Sequence, residues 1–144
     1  MTPRWFALLA VGVLFACHEP FAPSSDRGLT LSLTVAPTEL QRGAADTITM
    51  TLTNTNRHAV SLSGDVCQPR GYVTDPRGVT VIPPGGDWLC IALLQRRVLA
   101  AGERFSRAFV WGTDSFAPGV YTVHATFTAE EVELTTRPVS VRVR

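Results

Sequence analysis

From Leu29 onward, apolar and hydroxylated residues alternate with a period of two. Leu29, Leu31, Leu33 and Val35 are interleaved with Thr30, Ser32 and Thr34, and Ile48, Met50 and Leu52 with Thr47, Thr49, Thr51 and Thr53. Successive side chains of a strand point to opposite faces, so each segment offers one apolar face and one wet face. Threonine suits the wet face because its β-branch favours the pleated backbone while its hydroxyl stays hydrated. The pattern returns at Tyr121, Val123, Ala125 and Phe127 against Thr122, His124, Thr126 and Thr128. No stretch shows sustained helical periodicity, so a helical bundle is excluded.

Turn signals separate these runs. Pro37 to Gly43, Asn54 to His58, Gly64-Asp65, Pro83 to Gly86, Ala101-Gly102-Glu103 and Ala117-Pro118-Gly119 all punctuate the chain. Asp75-Pro76-Arg77-Gly78 has proline and glycine where a type I turn prefers them, between strands expected at Tyr72 to Thr74 and Val79 to Ile82. Val60 and Leu62 make another short strand. Trp88 to Leu94 is apolar without alternation, which fits a doubly buried strand or a short helix equally. Phe105, Phe109 and Trp111 share a face with Arg107, which fits only at an edge or rim. Val132 and Leu134 fall on even positions but Val139, Val141 and Val143 on odd ones, so a bulge or break is expected at Arg137-Pro138. The expected fold is an all-β, immunoglobulin-like antiparallel β-sandwich of about seven to nine strands.

The N-terminus reads differently. Trp5 to Ala16 is uncharged and follows Arg4. Twelve helical residues span about 18 Å against a hydrocarbon core of about 30 Å, so this is a secretory signal rather than a membrane span. The run ends in Leu14-Phe15-Ala16-Cys17, which resembles a bacterial lipobox, although Phe15 is bulkier than the small residue usual there. The resemblance implies cleavage after Ala16 and acylation of Cys17, which would anchor the chain in a membrane through its acyl chains. An ordinary cleaved signal is the alternative, but it would want a small residue at Leu14. The division expected is a signal segment over 1–16, lipidated Cys17 with a tether over 17–27, and one domain over 28–144.

Cysteine arithmetic agrees. With Cys17 lipidated, Cys67 and Cys90 form an even pair, expected as a disulfide stapling a loop to a neighbouring strand in an oxidising compartment. A metal-binding thiol pair is the alternative, but no CxxC or nearby histidine accompanies them. Composition fits an exported globular domain. Of 144 residues, 45% are hydrophobic and 17% charged, and the net charge is only +1, which argues against a nucleic-acid binder.

Thr51-Leu52-Thr53-Asn54-Thr55-Asn56 with Val60-Ser61-Leu62, and Tyr72-Val73-Thr74-Asp75 with Gly78, resemble the intracellular proteinase inhibitor (BsuPI-type) family. Val98 to Glu103 and Phe116 to Val123 are similar to that family's "L-x-P-G-E" and "P-G-x-Y-x-V" landmarks, with Ala100 where proline is usual. The resemblance covers roughly Ile48 to Phe127. It implies an immunoglobulin-like fold, with Tyr121 anchoring a corner through its hydroxyl, and proteinase inhibition as an activity. The Cys67–Cys90 pair and the signal segment depart from an intracellular inhibitor.

Chemistry is sparse. The histidines are His18 beside the anchor, His58 in a turn and His124 on an outward face; no metalloprotease, nucleophile-elbow or phosphate-loop motif is present. Glu130, Glu131 and Glu133 read as a solvated hairpin tip, and Arg96-Arg97 as a solvated turn. Trp88, after Pro83 to Asp87, is a candidate partner contact on a rigid loop, or else packs inward near Cys90. No catalytic residue, cofactor or metal is expected. The expected function is a lipid-anchored envelope protein, periplasmic or cell-surface, whose non-catalytic domain binds a protein partner or serves as a structural module. The alternative is an extracytoplasmic proteinase inhibitor using the Gln68 to Asp87 region as a rigid loop.

Overall fold

The computed structural model describes residues 24–90, 93–130 and 132–144; the signal segment, Cys17, His18 and Glu131 lie outside them. One sheet has the order β1 (Ser24–Asp26), β2 (Leu29–Thr34), β4 (Ala45–Asn54), β9 (Arg104–Gly112), all antiparallel. The second has β3 (Glu39–Leu40), β12 (Val139–Val143), β10 (Gly119–Ala129), β6 (Arg70–Thr74) and β7 (Thr80–Ile82), with β11 (Val132–Thr135) also on β10. Its one parallel pairing joins β3 to β12. A separate two-stranded ribbon is formed by β5 (Val60–Asp65) and β8 (Leu94–Leu99). The described residues contain no helix, and the fold is the expected all-β sandwich of immunoglobulin-like type. The described residues hold twelve strands rather than seven to nine, because several pairings are only two or three residues long.

Alternation places the core. In β4 the even positions from Asp46 to Asn54 are buried, and in β10 the odd ones from Tyr121 to Ala129. Leu29, Leu31, Leu52, Leu62, Phe127 and Leu134 pack at one end of the sandwich; Ile48, Val73, Trp111, Tyr121, Val123 and Val141 pack at the other. Leu33 and Phe109 touch both clusters. Gly71 is required where the sheets come closest, since a Cβ there would collide with the Phe109 ring and Met50 Sδ.

Three local expectations are met. Tyr121 donates its hydroxyl to the Ala117 carbonyl at 2.8 Å, closing the expected corner. Arg107 sits on edge strand β9 and donates to the Val66 carbonyl at 2.9 Å. Thr126 pairs with Thr135 and Val123 with Val139, so one extra residue is taken up between β11 and β12. Thr136 secures that step, its amide donating to Ala125 O and its hydroxyl accepting from Ala125 N, each at 2.9 Å.

Four expectations are corrected. Trp88 to Cys90 is neither strand nor helix, and Leu89, Leu93 and Leu94 are exposed, because a disulfide holds this run outside the core. Arg96 and Arg97 belong to β8, not to a turn, since β5 offers that segment a free edge. Gln68 to Asp87 is not one loop: it holds β6, which lies between β10 and β7, and its exposed parts are the turn at Pro76 to Val79 and the end at Pro84 to Asp87. The domain also begins earlier than residue 28, because Ser24–Asp26 pairs with Leu29 to Leu31 around Arg27-Gly28, both at positive φ.

Candidate binding surface

The chemistry-bearing side chains gather beside edge strand β9. Asp65 ends β5 and turns the chain by accepting the Cys67 amide at 2.8 Å on Oδ1, while its Oδ2 pairs with the Arg70 guanidinium. Cys67 is bonded to Cys90, with Cα atoms 6.2 Å apart. Gln68 is buried, and its Oε1 accepts from the Thr128 amide at 3.2 Å, tying the same turn to β10. Burial opposes the charge of Arg70, but the Tyr72 hydroxyl and the carboxylates of Asp65 and Asp87 more than offset it, so its pKa rises. The base of this surface is therefore tied at several independent points.

Trp88 belongs to that base. Its indole N–H donates to the Gly71 carbonyl at 2.8 Å, and its ring meets Phe109 edge-on at 5.8 Å. It is half-buried beside Cys90, in the space between β9 and β6, leaving little of the ring for a partner. Beyond it the loop turns outward. Leu89 is fully exposed at 103%, Leu94 is 78% exposed and Leu93 55%. Arg96 next along β8 is exposed and donates to Ser61 Oγ at 2.7 Å, while Arg97 lies 3.6 Å above the Phe105 ring. Sequence reasoning had singled out Trp88, whereas the residues offered to solvent are the leucines after it. The expected disulfide is present, but its consequence, an apolar run turned away from the core, is not visible in the residue pattern.

Asp65 and the two sulfurs lie within 4.8 Å of one another. The sulfurs are bonded to each other and both Asp65 oxygens already accept hydrogen bonds, so this donor set is not arranged for a metal. His124 is half-buried and stacked on Tyr72 at 5.2 Å, and burial lowers its pKa. His58 is exposed in its turn. Glu130 and Glu133 are exposed at the β10–β11 tip. An open concavity of about 500 Å³ lies beside Asp75, Arg77, Phe116 and Tyr121. Its carboxylate accepts from the Val79 and Arg77 amides and the Arg77 guanidinium, which lowers the Asp75 pKa. It is committed to the turn.

Two polar residues missed in the sequence are buried on the apolar face of β4. Asn54 is fully buried and bridges two loops through its amide. Asp46 pairs with Trp111 across the sheet, and neither Asp46 Oδ2 nor Trp111 Nε1 has a hydrogen-bond partner. Burial raises the Asp46 pKa.

No protein-family model and no curated protein matches the sequence. Among solved structures, a β-glucosidase from Listeria innocua in complex with gluconolactone aligns with 83% of this chain at TM-score 0.50 and 18% identity, using 16% of its own length. The β-glucosidase EmGH1 from Erythrobacter marinus aligns with 84% at TM-score 0.50 and 12% identity, again over 16% of its length. The CARDB domain of a Pyrococcus furiosus protein, in complex with di-metal ions, aligns with 86% of this chain and 91% of its own at TM-score 0.48 and 15% identity. This chain thus spans about one sixth of the glucosidases it resembles, and the likeness is one of fold alone.

Proposed function

We propose that this chain is a lipid-anchored bacterial envelope protein, held at a periplasmic or cell-surface membrane face, whose sandwich is a non-catalytic binding or structural module. The observation that carries the reading is Cys17, which closes the uncharged run Trp5 to Ala16 and is left as the odd cysteine once Cys67 and Cys90 are paired. A disulfide at Cys67–Cys90 supports export, because such bonds persist in oxidising compartments. Among the described residues, the titratable groups beside the concavity and the disulfide are engaged in turns and ion pairs, which favours binding over catalysis. Metabolic labelling with palmitate in a bacterial host is the test. Label on the wild type and none on Cys17→Ser is expected; unlabelled wild type would overturn the anchor.

The inhibitor reading keeps one supporting observation. Pro84 to Asp87 and Leu89 are exposed on a stretch braced by Cys90 and Trp88, and a braced exposed loop is what a protease cleft accepts. Stoichiometric inhibition within a panel of serine and subtilisin-like proteases, abolished by Leu89→Asp, would support it. No inhibition across the panel would leave the BsuPI-like resemblance as one of fold.

A further inference from the structure

Leu89, Leu93 and Leu94 form an apolar apex left exposed by the described residues, beside a base fixed by the Cys67–Cys90 bond and the Trp88–Gly71 hydrogen bond. We propose that this apex inserts into the headgroup–acyl boundary of the bilayer to which the chain is anchored, so that the domain lies against the membrane at a fixed orientation. The proposal rests on the reading of Cys17 as the lipid anchor and adds a second membrane contact to it.

The length of the tether argues for lipid as the occupant. The first sheet begins at Ser24, so six residues separate it from Cys17, and the seven Cα-to-Cα steps reach at most about 25 Å. Ser24 lies in β1, at the opposite edge of its sheet from β9, against which Trp88 at the base of the apex packs. Three interstrand spacings separate those edges, about 14 Å. The tether therefore allows the apex to reach the bilayer surface while Cys17 remains in it. Confinement at that distance makes the bilayer the apolar phase met at high effective concentration, and a weak second contact is enough to fix orientation.

The charges agree with a headgroup environment. Asp87 is the carboxylate nearest the apex along the chain, and it is paired with Arg70. Arg96 lies two residues beyond Leu94 on β8 and is exposed, placed for phosphate oxygens. An apolar tip with an arginine at its shoulder is the composition of interfacial membrane contacts.

The tryptophans provide a readout. Trp88 sits at the base of the apex, Trp111 is fully buried in the core, and Trp5 lies in the segment expected to be cleaved. The lipidated chain, reconstituted in phosphatidylethanolamine–phosphatidylglycerol vesicles brominated near the headgroup end of the acyl chains, is compared with a Leu89→Ser/Leu94→Ser variant. Both replaced residues are exposed, and an unchanged thermal transition verifies the variant's fold. The expected result is quenching of Trp88 in the wild type and its loss in the variant, with both proteins floating with the vesicles. Flotation with equal or absent quenching in the two overturns apex insertion and leaves the anchor standing. A wild type that does not float overturns the anchor, and the tethered insertion with it.

Discussion

Asn54 is the residue whose replacement tests the fold's internal logic most directly. Its amide nitrogen donates to the carbonyls of His58 at 2.9 Å and of Leu99 and Ala100 at 3.0 Å, and its oxygen accepts from the Asn56 amide at 3.0 Å. It thus holds the turn after β4 against the turn after β8. In Asn54→Ala the Leu99 carbonyl is left buried without this donor, at about 1–3 kcal/mol, while the other three groups lie nearer water and cost a few tenths each. The sum is about 3 kcal/mol, or a fall in Tm of about 10 °C for a domain of this size. Asn54→Asp separates hydrogen bonding from packing. The shape is conserved, but a carboxylate would face three carbonyls, so this variant should be less stable than Asn54→Ala at pH 7 and recover as the pH falls and it protonates. Urea denaturation at pH 4 and pH 7 reads both. A loss below about 1 kcal/mol for alanine, or wild-type stability for aspartate at pH 7, would refute the reasoning.

Tyr121→Phe removes the corner hydrogen bond to Ala117 and should cost about 1 kcal/mol, seen as a lower urea midpoint with unchanged slope. Asp46→Asn should stabilise the domain at neutral pH. Because burial raises the folded-state pKa of Asp46 above its unfolded value, its contribution is most favourable when protonated and is lost as pH rises through that interval. The gain should therefore shrink in acid, and equal stability of the two proteins at pH 7 would count against it. Breaking the disulfide with Cys67→Ala/Cys90→Ala frees a loop with 23 residues of separation, and a loss of about 3 kcal/mol is expected by chemical denaturation.

Alternation made much of the sandwich legible. The buried faces of β2, β4 and β10 are those the Leu, Ile and Tyr positions mark, and the parity change between Leu134 and Val139 announced the register step. What stayed hidden involves residues whose partners are distant in sequence. Asn54 and Asp46 sit at the ends of an alternating run, on its apolar parity, and parity alone gives no hint that Leu99 or Trp111 lies opposite. In the apolar run from Trp88 to Leu94 hydrophobicity does not mean burial, because the constraint at Cys90 decides which way it faces. Arg96 and Arg97 look like a turn until β5 is seen to need a neighbour. The pairing of the cysteines was legible; its consequence for Leu89 was not.

The position of β12 bears on how the domain is made. This strand is interior although it follows β3 and β10 in sequence, lying between them, and it is fastened by Arg144 to the Leu40 carbonyl and to Glu39. A chain emerging amino terminus first presents β3 and the leading half of β10 long before residues 139–143 arrive to pair with them. Until then those strands keep unpaired edges and an uncovered apolar face. Closure thus waits for residues 139–143, and the sheet cannot be completed while any of β12 is still in transit.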